Sequence, residues 1–176
     1  MALIVEDGSG VANAESYISA ADCAAYAVKE GKPFASSPAD AAEAALRRAT
    51  RRLDAKYRSR FPGQRVKGRN QGVEWPRSDA YDTDGNEIAS DEIPQEIIDA
   101  CCELAIIELA DPGSLAPTVT PGQVEKRIKV EGIEVEYAGA SANVYDQRPV
   151  PTIVEDILSS LMTGSSSPYV ARAVRA

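Results

Sequence analysis

Histidine is absent from the 176-residue sequence. Its absence removes the commonest general base and transition-metal ligand, so Ser-His-Asp, Cys-His and His-based zinc sites cannot form within one chain. Cysteine is scarce: Cys23, Cys101 and Cys102 are odd in number and two are adjacent, which is no disulfide framework. Cys101 and Cys102 fall in an apolar helical run and are expected in the core as small hydrophobes. No apolar run approaches the roughly 18–20 residues of a bilayer span, and no membrane contact is expected. Met1-Ala2-Leu3-Ile4-Val5-Glu6-Asp7 lacks the basic stretch of a signal peptide, so a cytoplasmic product is expected.

Chemical motifs are also missing. Gly8-Ser9-Gly10 and the stretch from Gly63 to Gly72 hold neither a P-loop nor a dinucleotide fingerprint. Asp82-Thr83-Asp84-Gly85-Asn86-Glu87 has part of a calcium loop's composition without its spacing, and reads as an Asp-Gly turn. Asp91-Glu92 and Asp99 with Glu103 read as helix caps or a solvated face. Catalytic residues, metals and cofactors are all expected to be none.

What is present is a mainly α pattern with one β-hairpin, an α+β fold. Ser16 or Ser19 can cap a first helix reaching about Glu30, which Gly31 and Pro33 stop. Ser37 with Pro38 opens a second helix to about Arg60, with Ala42, Leu46, Ala49, Leu53 and Tyr57 as its apolar stripe. Ser90 or Asp91, with Pro94 in the first turn, starts a third helix to about Ala110. Ile97, Ile98, Cys101, Leu104, Ala105 and Leu109, with Ile106 and Ile107, make it apolar around most of its circumference, so it belongs at the centre of a core or is shared with a neighbour. Pro151 opens a last helix, Thr152 to about Met162, that buries Ile153 or Val154, Ile157, Leu158 and Leu161.

Residues 62–92 read as a long loop needing an anchor, and Trp75 supplies it. Val124–Val130 and Ile133–Tyr137 form a hairpin. Val130 faces Ile133 and Ile128 faces Val135, while Lys129 meets Glu134 and Arg127 meets Glu136, so apolar partners and opposite charges come into register together. The expected whole is a bundle of about four helices with extended arms at both ends. Residues 1–164 form a single domain, with an N-terminal arm over 1–14 and the hairpin over 124–137; residues 165–176 form a C-terminal extension. Both arms look short of partners within one domain and suited to neighbours.

The net charge of −8 conceals strong polarity. Residues 47–69 hold ten of the nineteen basic residues and one acid, Asp54, so that segment is +9 and the remainder −17. Arg47, Arg51 and Arg58 share one side of the second helix, Arg48 and Arg52 another, and Arg65, Lys67 and Arg69 continue the charge into the loop. This surface suits sequence-blind phosphate contact, or pairing with an acidic neighbouring subunit. Base stacking would want exposed rings among the cations. Tyr57, Phe61 and Trp75 are near, but Tyr57 lies on the core stripe and Trp75 reads as a buried anchor.

Several segments in order resemble a family of tailed-phage proteins known as DnaT-like single-stranded-DNA-binding proteins. The pieces are Leu3-Ile4-Val5-Glu6-Asp7-Gly8-Ser9-Gly10-Val11-Ala12-Asn13-Ala14-Glu15-Ser16-Tyr17, Ala44-Ala45-Leu46-Arg47-Arg48-Ala49-Thr50 with Leu53-Asp54 and Tyr57, and Trp75-Pro76-Arg77. Tyr81-Asp82 with Asp84-Gly85, Ile93-Pro94, Val124-Glu125-Lys126 and Ile133-Glu134-Val135-Glu136-Tyr137 follow. The resemblance implies a head–tail connector, or adaptor, in the virion neck, assembled in host cytoplasm. It implies a homo-oligomeric ring, typically a dodecamer, between the portal and the tail or neck (head-closure) proteins. Double-stranded DNA would pass non-specifically through the lumen, and a C-terminal tail with Tyr169, Val170, Arg172, Val174 and Arg175 would dock on the portal. The alternative expectation is a single-stranded-DNA-binding replication accessory protein.

Overall fold

The structure, a computed structural model, describes residues 2–117, 127–130, 133–136 and 151–162. Four helices carry the fold: α1 (Ala20–Lys29), α2 (Ala39–Tyr57), α3 (Gln95–Ala110) and α4 (Thr152–Leu158). Between α2 and α3 lie β1 (Gln64–Arg65), a 3-10 turn (Gly68–Asn70), β2 (Arg77–Ser78), β3 (Ala80–Tyr81) and β4 (Glu87–Ile88). β1 pairs antiparallel with β2, and β3 with β4. β5 (Arg127–Val130) and β6 (Ile133–Glu136) form the predicted hairpin, in the register expected from charge and hydrophobicity. The hairpin's outer positions 124–126 and 137, and the extension 165–176 with Tyr169, Val170, Arg172, Val174 and Arg175, lie outside the described residues.

α3 is the central element, as its apolar circumference requires. It packs on α2, α4 and α1, and buries Ile97, Ala100, Cys101, Cys102, Leu104 and Ala105. α2 turns Leu46, Ala49, Leu53 and Tyr57 toward it. Each such leucine, fully buried, contributes roughly 1.5–3 kcal/mol. The three cysteines are buried and unbridged. Burial pushes the Cys101 thiol up to about 12, so it stays an unreactive hydrophobe. From α4, Val154, Leu158 and the following Leu161 and Met162 enter the same core, while Ile153 faces out.

Helix boundaries depart from expectation at several ends. α1 is capped by Ser19, whose hydroxyl accepts from the Asp22 N–H at 3.2 Å. α2 has no side-chain cap at Ser37, because Pro38 itself is the N-cap and its carbonyl accepts from Ala41. Neither Ser90 nor Asp91 caps α3; the Pro94 carbonyl accepts from Ile97 and Ile98, so proline again stands one position before the helix. α2 stops at Tyr57 rather than Arg60, since Arg60 and Phe61 both donate to the Tyr57 carbonyl and the tightened turn brings Phe61 inward. α4 stops at Leu158, and a turn carries Leu161 and Met162 back to the core.

The N-terminal arm is extended as expected, but it docks on its own domain rather than reaching out. Val5 bridges Ser16, and the Glu6 N–H donates to the Ser16 carbonyl. The buried Glu6 carboxylate accepts the backbone N–H groups of Gly8, Gly10 and Val11 at 2.8–3.1 Å. One side chain thereby satisfies three loop donors that would otherwise be costly to bury. Gly72 then donates to the Val11 carbonyl and ties the arm to the long loop.

Candidate nucleic-acid interface

The long loop after α2 is held down by Trp75, which is 0% exposed, as predicted. Its ring meets Phe61 edge-on at 5.8 Å. Behind it, the Arg77 guanidinium donates to the carbonyls of Pro62 (2.6 Å) and Gly63 (2.7 Å) and to the Glu74 carboxylate (3.1 Å). A buried arginine thus closes both ends of the loop onto each other, and its fixed fork suits that role.

Glu74 and Asp54 are the hub of this region. Tyr17 Oη donates to Asp54 Oδ1 at 2.6 Å and accepts from the Glu74 N–H at 3.0 Å. The same N–H reaches Asp54 Oδ2 at 3.1 Å. Arm, helix and loop therefore meet at one buried carboxyl. Burial raises Asp54 to about 7 against the lowering effect of its donors. Burial, together with the nearby Asp54 charge, drives the Tyr17 hydroxyl far above its ordinary range, so it remains protonated and able to donate. The Glu74 carboxylate also attracts Arg58 through Oε1 and Arg65 through Oε2, each 3.9 Å away.

The basic segment divides into two sets. Arg47 pairs with Glu15 (2.9 Å) and Glu43 (3.3 Å), and Arg48 with the buried Glu108 (2.7 Å). Lys56 and Arg60 grip Glu155 at 2.7 and 3.1 Å, with the Tyr57 hydroxyl donating to the same carboxylate, so α4 is fastened to α2. Arg52 is half-buried and likewise engaged. Arg47, Arg48, Lys56 and Arg60 thus neutralise acids of their own chain, and inter-subunit pairing is not needed to account for them. The second set is Arg51 and Arg58 on the outer side of α2, with Arg65, Lys67 and Arg69 on the loop. Arg51, Arg58, Lys67 and Arg69 are exposed and Arg65 is half-buried. The loop that carries them runs along the arm, with the Lys67 side chain near Gly10 and Gly72 against Ala14.

Three carboxylates at the ends of these ion pairs escaped sequence reasoning. Glu103, assigned to a solvated face, is buried and accepts from the Tyr26 hydroxyl and Lys32. Glu108 is 2% exposed and accepts from Arg48 and the Gly113 N–H. Glu74 is buried in the loop. The signal for the first two lay in α3 itself: a helix apolar all round has no wet face on which to leave a glutamate. The Asp82 segment is the turn expected, its carboxylate accepting from the Asp84 and Asn86 N–H groups. Among the described residues no cluster of three or more metal-ligating side chains occurs, and no helix is long and apolar enough to cross a membrane.

This arrangement defines a class: a small α+β protein whose second helix and long loop leave Arg51, Arg58, Lys67 and Arg69 exposed around a tightly bonded carboxyl hub. The family follows from the whole chain. Residues 1–176 match the model of the family described as "Putative DnaT-like ssDNA binding protein", and the chain belongs to that family. No curated protein and no solved structure matches it.

Proposed function

We propose that the protein is a non-catalytic DNA-binding protein, an accessory that holds single-stranded DNA by its phosphates on the face formed by Arg51, Arg58, Arg65, Lys67 and Arg69. The observation that carries this reading is that Arg51, Lys67 and Arg69 are exposed with no carboxylate within 4 Å among the described residues, and Arg58 and Arg65 are only 3.9 Å from Glu74, while Arg47, Arg48, Lys56 and Arg60 are committed to carboxylates of the chain at 2.7–3.3 Å. Exposed cations on a fixed scaffold suit a polyanion whatever its sequence. Family membership points the same way.

A second reading is the head–tail connector: a ring between portal and neck proteins, with duplex DNA in its lumen. It is favoured by one specific feature. Tyr57, Phe61 and Trp75, the aromatics beside the basic segment, are all buried, so the face offers charge without exposed stacking rings.

Fluorescence anisotropy with single- and double-stranded oligonucleotides of equal length, at two salt concentrations, tests both. The accessory reading expects salt-sensitive binding that prefers single strands and weakens more than tenfold when Arg51, Arg58, Lys67 and Arg69 become alanine. Weak binding by the isolated subunit without strand preference favours the connector. An alanine variant that binds as the parent does removes this face from either account.

A further inference from the structure

Beside Arg51 lies an open recess of about 380 Å3, lined by the arm, α2 and the Gly72–Val73 stretch. Its volume falls at the low end of small-molecule pockets, which run about 300–1,000 Å3, and suits one planar heterocycle. Thr50 and Asp54 line it from the buried side; Asn13, Glu15 and Arg51 line it toward solvent. It is far more polar than a packing defect between helices would be.

The functional groups in it are unequally occupied. Glu15 is spent on Arg47 and the Ile4 N–H. Each Asp54 oxygen holds one donor, Tyr17 Oη or the Glu74 N–H, and a carboxylate oxygen accepts two, so acceptor capacity remains on both. The exposed Asn13 amide makes no hydrogen bond among the described residues, leaving a donor and an acceptor side by side. Arg51 forms no ion pair within 4 Å among the described residues. Gly72 lets the wall close: a Cβ there would sit 2.5–2.6 Å from the Ala14 backbone.

We infer that this cavity takes one unpaired nucleobase bearing an exocyclic amino group, cytosine or adenine, with Arg51 on the adjoining phosphate. The inference rests on the DNA-binding reading above and adds a base-recognition element to it. The exocyclic amine donates to Asp54, the pairing that carboxylates make with the cytosine N4 amine. The Asn13 NH2 donates to the ring nitrogen beside the amine, N3 of cytosine or N1 of adenine, and its carbonyl accepts the amine's second hydrogen, whereas guanine carries a hydrogen on the corresponding nitrogen. Thymine presents a carbonyl where the amine would be and meets an acceptor with an acceptor. A base already in a duplex has its edge occupied, so the pocket itself selects unpaired strands, in the manner of proteins that read an extruded base in a recess.

The test compares four strands of one length at one salt concentration and at pH 8, where Asp54, which titrates at about 7, is an acceptor on both oxygens: oligo(dC), oligo(dA), oligo(dT) and an abasic deoxyribose phosphate. The full chain should bind oligo(dC) and oligo(dA) about tenfold more tightly than the abasic strand, with oligo(dT) close to abasic. Asn13→Ala, at an exposed position that leaves the core intact, should remove most of the difference while abasic affinity stays unchanged; Asp54→Asn should do the same if it folds. Equal binding of all four strands overturns the pocket and leaves phosphate binding standing. Base preference undiminished in Asn13→Ala also overturns it. No binding of any strand overturns this inference and the DNA-binding reading together.

Discussion

The most direct probe of the hub is Asp54→Asn followed across pH. Asp54 is 8% exposed and sits where two donors favour its anion while burial disfavours it. Burial prevails, and the carboxyl titrates at about 7 in the folded protein against an ordinary 3.8. Because the folded state holds this proton more tightly than the unfolded one, the contribution is fully present below about pH 4. It is lost as pH rises through 7. A shift of about three units is worth about 4 kcal/mol at about 1.4 kcal/mol each. Glu15, Asp82 and Glu155 have lowered values and act in the opposite direction, but they are common to parent and variant and cancel in the difference. Asparagine cannot titrate, and its misplaced amide donor adds a constant cost that also cancels. Urea denaturation of both proteins between pH 4 and 8 should therefore show the parent's advantage over Asp54→Asn shrinking by about 4 kcal/mol. A difference that is flat, or that grows with pH, would mean that the Tyr17 and Glu74 donors outweigh burial and that the carboxyl is an ordinary anion.

Two further predictions concern packing. Arg48→Ala leaves the Glu108 carboxylate, 2% exposed, with the Gly113 N–H as its remaining donor among the described residues; it should cost about 3 kcal/mol, and Glu108→Gln made in the same protein should recover part of that in a double-mutant cycle. Gly63→Ala should lower the melting temperature by several degrees, about 2 kcal/mol or more. Gly63 has φ +65° and a Cβ there would lie 2.2 Å from the Ser78 carbonyl oxygen, so calorimetry showing a neutral effect would contradict the loop's geometry.

How far the sequence discloses this protein depends on which interactions are local. Period and punctuation gave all four helices and the hairpin register, because stripes such as Leu46, Ala49, Leu53 and Tyr57 need no knowledge of the partner that covers them. Trp75 was recognisable as an anchor from its setting in a glycine-rich, aperiodic stretch. The fate of the arginines was not recognisable. Arg48 and Glu108 are sixty positions apart and Arg60 and Glu155 ninety-five, and spacing on one helix cannot reveal a carboxylate arriving from another. The docking of the arm was hidden for the same reason: it depends on Glu6 folding over its own loop and on Gly72 coming from a distant turn. Asp54 carried a usable hint, since it stands four residues after Thr50 and three before Tyr57 on the buried side of α2.

The division of the basic segment has a consequence for how salt acts on any complex with DNA. Each phosphate that a protein cation neutralises liberates a condensed counterion, and the logarithm of affinity falls by roughly 0.7 per single-strand phosphate for each tenfold rise in salt. A guanidinium already compensated by its own chain's carboxylate liberates none. Ten cations between residues 47 and 69 would suggest a slope near −7, whereas Arg51, Lys67 and Arg69, with no carboxylate within 4 Å among the described residues, give about −2, and counting Arg58 and Arg65, held at 3.9 Å by Glu74, as fully available sets a ceiling of about −3.5. Formal charge thus overstates, about twofold or more, how steeply ionic strength can loosen the grip.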